Sequence, residues 1–161
     1  MRPTMERARE AVFSSLSARM PGARVLDLFA GSGGLGLEAW SRGAASVTAV
    51  EKVSKYWKIL QENFQTLAGD PDLGGWQAIQ ADAYEFLKRG AGPFDLIFAD
   101  PPYDEADLPK LLEAASGALA PDGLLVFEMR SHGAYSVPAD WNLIKEKIYG
   151  ETRMLFLEHS K

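Results

Sequence analysis

Residues 24–36 read Arg24-Val25-Leu26-Asp27-Leu28-Phe29-Ala30-Gly31-Ser32-Gly33-Gly34-Leu35-Gly36, and this stretch decides the fold class. Its first six residues form a short apolar run suited to a buried parallel strand, and Gly31, Gly33 and Gly36 follow at G-x-G-x-x-G spacing. Glycines there let the backbone turn tightly and approach a ligand. The helix-like Leu37-Glu38-Ala39-Trp40-Ser41-Arg42 adds free N–H groups at its first turn. A second strand-like run, Ser46-Val47-Thr48-Ala49-Val50, ends in Glu51, about 20 residues past the first glycine, where a carboxylate can bind ribose hydroxyls. The pattern predicts a β-α-β unit built around a nucleoside-containing cofactor.

A nicotinamide dinucleotide uses similar spacing, and Asp27 discriminates. A carboxylate just ahead of the glycine turn repels a pyrophosphate but suits a ligand carrying an α-amino group and a sulfonium, both cationic. Asp82, after the strand-like Trp76-Gln77-Ala78-Ile79, adds an acceptor suited to an adenine amino group. Three acids at successive strand ends favour S-adenosylmethionine. The candidate cofactor residues are Asp27, the turn Phe29-Ala30-Gly31-Ser32-Gly33, Glu51 with Lys52, Asp82 with Ala83, and Asp100.

The apolar run Phe94-Asp95-Leu96-Ile97-Phe98-Ala99 leads into Asp100-Pro101-Pro102-Tyr103, placing a polar and aromatic cluster where a parallel strand ends. Asp100 offers a carboxylate acceptor, the prolines fix φ and remove N–H donors, the Pro101 carbonyl is free to accept, and Tyr103 brings a stacking face. Two acceptors on the hydrogens of an exocyclic base amine localise its lone pair toward an incoming methyl group, by positioning and electrostatics. Asp100, Pro101, Pro102 and Tyr103 are the candidate catalytic residues.

Composition narrows the chemistry. With 161 residues, of which 47% are hydrophobic, the chain predicts one domain over 1–161, an N-terminal helix within 1–18 and a cofactor-binding and catalytic core in 19–161. There is no cysteine, which excludes disulfides, thiolate metal sites and the cysteine nucleophile that methylation of pyrimidine C5 needs; nitrogen is the better target. His132 and His159 are the only histidines, so no metal is expected. No run approaches the roughly 20 apolar residues of a membrane span and no signal-peptide segment opens the chain, so the expected location is cytoplasmic. The formal charge of -5 disfavours nonspecific nucleic-acid binding, but Arg2, Arg7 and Arg9 form a local basic patch able to touch phosphates.

Along the chain, Thr4 is expected to cap a helix reaching about Ser17, with Met5, Ala8, Val12 and Leu16 facing the sheet. Helical patterns follow at 53–67, 83–88 and 108–119, and Ala120-Pro121-Asp122-Gly123 is expected to turn into a strand at 124–128. Strand patterns at 142–149 and 152–158, joined at Gly150, predict an antiparallel hairpin on a mostly parallel α/β sheet. Trp40, Tyr56, Trp57 and Tyr84 read as core or helix-packing residues.

The segments Arg2-Pro3-Thr4, Arg7, Arg9-Glu10-Ala11, Leu26 to Gly33, Leu35-Gly36-Leu37-Glu38-Ala39, Ser41-Arg42-Gly43-Ala44 and Asp100-Pro101-Pro102-Tyr103 together resemble the bacterial small-subunit ribosomal RNA guanine-N2 methyltransferases. Val137-Pro138-Ala139-Asp140-Trp141 and Lys145-Glu146-Lys147 are similar to that family as well. The resemblance implies a seven-stranded Rossmann-like methyltransferase fold that uses S-adenosylmethionine to methylate N2 of a guanine in 16S rRNA, within an assembling small subunit. It implies that Glu51 holds the ribose, Asp82 the adenine, the turn around Gly31 and Gly33 the methionine moiety supported by Asp27, and Asp100 to Tyr103 the target base. Arg2, Thr4, Arg7, Arg9 and Tyr103 are the candidate RNA contacts. Members of that family carry a basic β-hairpin of about thirty residues ahead of the Arg-Pro-Thr segment, where this chain begins, and Met5 stands in place of a second threonine. Two other readings share these residues: an adenine-N6 methyltransferase on DNA or RNA, and a cofactor-binding module without turnover.

Overall fold

The computed structural model describes residues 3–70 and 74–160, with side chains from residue 6 onward. The elements run α1 (Pro3–Ser15), β1 (Arg24–Leu28), α2 (Gly34–Ser41), β2 (Ser46–Glu51), α3 (Ser54–Ala68), β3 (Trp76–Gln80), α4 (Ala83–Lys88), β4 (Phe94–Ala99), α5 (Leu108–Ala115), β5 (Leu119–Arg130), β6 (Trp141–Tyr149) and β7 (Thr152–His159). Seven strands form one sheet in the order β3-β2-β1-β4-β5-β7-β6. Strands β1 to β5 pair in parallel, while β7 lies antiparallel between β5 and β6, as the hairpin reading requires. The chain winds outward from β1 to β3, then returns to place β4 on the other side of β1. That reversal opens a crevice at the carboxyl ends of β1 and β4.

The central strands are apolar on both faces because helices cover both. One face, with Val25, Leu96, Phe98, Val126 and Phe156, packs under α1, α2 and α3. The ring of Phe13 in α1 lies 5.5 Å from that of Phe98, and Phe64 of α3 stacks on Trp76 at 5.2 Å. The opposite face, with Leu26, Leu28, Ile97, Leu125 and Phe127, packs against α4 and α5. Phe13 is fully buried, so burying it contributes on the order of 1.5–3 kcal/mol and fixes α1 over β4. None of the helices in the described residues is long and apolar enough to cross a membrane.

Three boundaries differ from the sequence expectation. Helix α1 starts at Pro3, so Thr4 lies within its first turn instead of capping it; proline fits the first helical position because its missing N–H has no intrahelical partner to lose. Helix α2 starts at Gly34, three residues early, after Gly33 takes up a left-handed φ of 97°. Helix α5 stops at Ala115, and Leu119 is already in β5 opposite Phe94, with a register shift before the Leu96–Leu124 pair. Residues 120–123 lie at that register shift, between the two pairs, so the turn-like Ala120-Pro121-Asp122-Gly123 is taken up as an irregularity inside β5.

Candidate active site at the ends of β1, β4 and β5

Parallel register builds the site. Leu28 pairs with Ala99 and Ala99 with Phe127, so the next residues, Phe29, Asp100 and Glu128, emerge side by side from three neighbouring strands. Side chains alternate along a strand, which puts Asp27, Asp100 and Glu128 on the face that α1 covers. Phe29 then bends the chain with a φ of 59°, the positive value that only this non-glycine residue adopts among the described residues. Ala30 donates its N–H to the Val50 carbonyl at 2.9 Å, and Gly33 donates to Ala30 at 2.9 Å, which closes the glycine turn.

Two hollows meet at this turn. One, of about 210 Å³, has a mainly apolar wall that includes Val50, Val53, Tyr56, Ala83 and Pro102, with Glu51 at its edge. The other, of about 290 Å³, lies beneath α1 between the glycine turn, Asp27, Glu128 and Met154, with Arg9 reaching into it. Phe29, Gly31 and Asp100 line both, so Asp100 stands at the junction of an apolar cleft and a more polar one. A larger, open hollow of about 1360 Å³ lies on the opposite side of the sheet between α4 and α5. Asp82 borders it, but Asp27 and Asp100 do not.

Each strand-end acid has a structural partner. Glu51 is buried and bridges two backbone donors, with Oε1 accepting from Gly31 N–H at 2.8 Å and Oε2 from Val53 N–H at 2.8 Å. Asp27 is 1% exposed, and its Oδ2 accepts the N–H of Gly36 at 3.0 Å, satisfying a free donor in the first turn of α2. Burial pushes the Asp27 carboxyl up to about 7, against the pull of the Gly36 bond. Asp82 caps α4, its Oδ2 accepting from Tyr84 N–H at 2.9 Å and Glu85 N–H at 3.2 Å. All three acids therefore shape the backbone that surrounds the clefts.

Asp100 and Glu128 are hydrogen-bonded to one another through their side chains, and Arg9 acts electrostatically on both. Burial, then the charge of Asp100, pushes the Glu128 carboxyl up to about 8. Asp100 is also raised, by burial first, but it opens onto the cleft where solvent reaches it. Burial therefore weighs more at Glu128, and the shared proton resides there.

Pro101 is buried and Pro102 exposed, and the prolines lead into a 3₁₀ turn over Tyr103–Glu105. Tyr103 is 66% exposed, and the Arg130 guanidinium lies 3.7 Å from its ring centroid. Glu105 forms an ion pair with Lys52 at 3.1 Å, joining the ends of β2 and this turn. Among the described residues no group of His, Cys, Asp or Glu is placed to hold a metal ion.

Comparison with known proteins settles the family. A family model described as Conserved hypothetical protein 95 matches residues 1–158. The ribosomal RNA small subunit methyltransferase D of Escherichia coli is 36% identical over 154 residues, covering 94% of this chain and 76% of that protein. The chain belongs to this family. A solved Escherichia coli protein described as a methyltransferase superposes with a TM-score of 0.86 at 33% identity, over 99% of this chain and 88% of that one. A SAM-dependent methyltransferase from Streptococcus mutans, 16% identical with a TM-score of 0.77 over 98% of this chain and 49% of that one, shares the fold.

The glycine turn and the Asp-Pro-Pro-Tyr segment are the two parts that the fold brings to one crevice. Phe29, Ala30, Gly31, Ser32, Glu51, Lys52, Ala83 and Asp100 border the clefts, while Gly33 lies behind the turn against Leu60. The basic patch divides. Arg7 is exposed, while Arg9 is half-buried and turned over Gly34 into the cleft beneath α1. Arg2 lies outside the described residues, and the Thr4 side chain is likewise not described. Tyr56 is 46% exposed on the cleft wall and is no core residue. Sequence reading missed Glu128, although it ends the apolar run Leu124 to Phe127 just as Asp100 ends its own.

Proposed function

We propose that this protein transfers a methyl group from S-adenosylmethionine to the exocyclic N2 amine of a guanine in 16S rRNA, in the cytoplasm and on an assembling small ribosomal subunit. The observation that carries the reading is Asp100, standing where the apolar cleft and the acidic cleft meet. The site suits the cofactor. An apolar cleft flanked by Phe29 and Tyr56 matches an adenine ring, and the buried Asp27 of the neighbouring cleft matches a ligand that carries cationic groups. Arg9, the one cation among the described residues lining that cleft, suits pairing with a carboxylate. Glu51 holds Gly31 and retains lone pairs for ribose hydroxyls.

Bound S-adenosylmethionine supplies an electrophilic methyl group on a sulfonium. The chain's own residues do the rest. Asp100 and the Pro101 carbonyl accept the two amine hydrogens and direct the nitrogen lone pair to the methyl group. Tyr103 stacks on the base, with Arg130 above its ring, and the basic residues Arg2 and Arg7 meet backbone phosphates. The test is methyl transfer from labelled cofactor to small subunits that lack the modification, followed by nucleoside analysis. N2-methylguanosine is the expected product. N6-methyladenosine moves the protein to the adenine class, and no product on any particle defeats the transferase reading.

A further inference from the structure

Glu128 is a half-buried carboxyl group to which the methyl transfer described above assigns no task. It follows Phe127 in β5, and Phe127 pairs with Ala99, so the register sets Glu128 beside Asp100. On its other flank it faces Met154 of β7, and beyond that Lys147 of β6. The other charged groups around the acid pair are Arg9 from α1, Asp27 from β1 and Arg130 two residues further along β5. Two carboxyl groups hydrogen-bond to each other only with a proton between them. The Asp100–Glu128 bond therefore makes one of them a donor.

We propose, resting on the methyl-transfer reading, that Glu128 is a positioning residue whose protonated carboxyl donates to one oxygen of Asp100 and turns the other oxygen toward the target amine. This arrangement keeps Asp100 ionised without a second negative charge beside it. As the nitrogen lone pair forms the new nitrogen–carbon bond, the carbon–sulfur bond breaks with its electron pair going to sulfur, which leaves as a neutral thioether, and one amine hydrogen leaves as a proton to the free Asp100 oxygen. The electron pair of that N–H bond stays on nitrogen. Glu128 is pushed up to about 8, so it is protonated at neutral pH, and raising the pH through that value removes the donor and adds a repelling charge.

The test compares wild type, Glu128→Gln and Glu128→Ala at saturating cofactor across neutral and alkaline pH. Wild-type kcat falls as the pH rises through the Glu128 transition. Glu128→Gln keeps a donor that does not ionise, so it stays within about threefold of wild type at neutral pH and loses the alkaline fall. Glu128→Ala drops kcat by about tenfold to a hundredfold, with cofactor Kd and RNA KM near wild type. Equal behaviour of the two variants, or an alkaline fall that persists in Glu128→Gln, overturns the proposal. A readout free of activity is NMR titration of ¹³C-labelled glutamate. One glutamate titrates near 8 in wild type and moves down in Asp100→Asn, whereas the absence of any high-titrating glutamate overturns the pair. A wild-type protein that methylates no RNA sinks the transferase reading and the positioning role with it; an active enzyme indifferent to Glu128 sinks the latter alone.

Discussion

Glu51 accepts the backbone N–H of Gly31 at 2.8 Å, so the acid that ends β2 holds the glycine turn that follows β1. Its other oxygen holds Val53 at the entry to α3. Glu51→Ala therefore removes more than a ribose contact: it leaves two N–H groups without their acceptor. Expected outcomes are a loss of about 1–3 kcal/mol in chemical denaturation and at least a tenfold rise in cofactor Kd by calorimetry. Unchanged stability with weakened cofactor binding would confine Glu51 to the ribose.

Gly33 and Gly34 are adjacent but tolerate alanine differently. A Cβ on Gly33 falls 2.5 Å from Leu60 Cδ1, and the φ of 97° strains any side chain there. On Gly34 the nearest atom is Arg9 Nη1 at 2.9 Å, the free end of a flexible side chain. Gly33→Ala is expected to cost at least about 2 kcal/mol of stability. Gly34→Ala keeps the fold and weakens cofactor binding by displacing Arg9. Equal melting temperatures for the two variants contradict this.

Arg9 separates a cofactor contact from an RNA contact. Arg9→Ala is expected to raise cofactor Kd by about tenfold to a hundredfold, the loss of one charge-assisted hydrogen bond, with RNA KM and its salt dependence held. Arg7→Ala, at an exposed position on the same helix, is expected to do the reverse. A salt slope that changes in Arg9→Ala instead assigns the residue to RNA.

For Asp100→Ala, turnover is expected to fall by roughly tenfold to thousandfold with cofactor Kd nearly unchanged, because the lost acceptor acts on the amine in the transition state. Single-turnover methylation checks it. Unaltered turnover removes Asp100 from the chemistry.

Asp27 links pH to stability. Its folded carboxyl sits at about 7 against an ordinary 3.8, so the folded protein binds a proton that the unfolded chain releases between those values. The associated stability is fully present below the lower value and is lost as pH rises through about 7. Relative to Asp27→Asn, which does not titrate, wild type should lose up to about 1.4 kcal/mol per pH unit across that window in urea denaturation. A cationic cofactor favours the ionised acid, so its affinity is expected to rise over the same range. A stability difference between the two proteins that stays flat with pH refutes the burial argument.

Much of the site was legible in the chain because short-range chemistry specifies it. The glycines at 31, 33 and 36 follow the run that forms β1, Asp27 lies just inside the end of that strand, and the acids at 51, 82 and 100 occur where apolar runs stop; a strand end in an α/β sheet is where ligands bind. Glu128 obeys the same rule but went unread, because its value depends on lying beside Asp100 and no local pattern announces which strand neighbours which. The inward direction of Arg9 went unread for a similar reason. Its helix periodicity shows only that it differs in phase from Ala8 and Val12, while the tilt of α1 over β4, set by Phe13 on Phe98, decides that it points into the cleft. The end of α5 was missed because pairing of Leu119 with Phe94 overrides a helical pattern.

The sequence alone determined the α/β class, the glycine turn, the Asp-Pro-Pro-Tyr segment at a strand end and the family resemblance, since each rests on backbone preferences and side-chain types within a few residues. Tertiary structure decided which carboxyl groups become neighbours, which oxygen atoms are already committed to backbone donors, and where Arg9 sends its charge. Those outcomes depend on strand register and helix packing between segments far apart in the chain, and burial then changes the proton affinity of the acids so assembled.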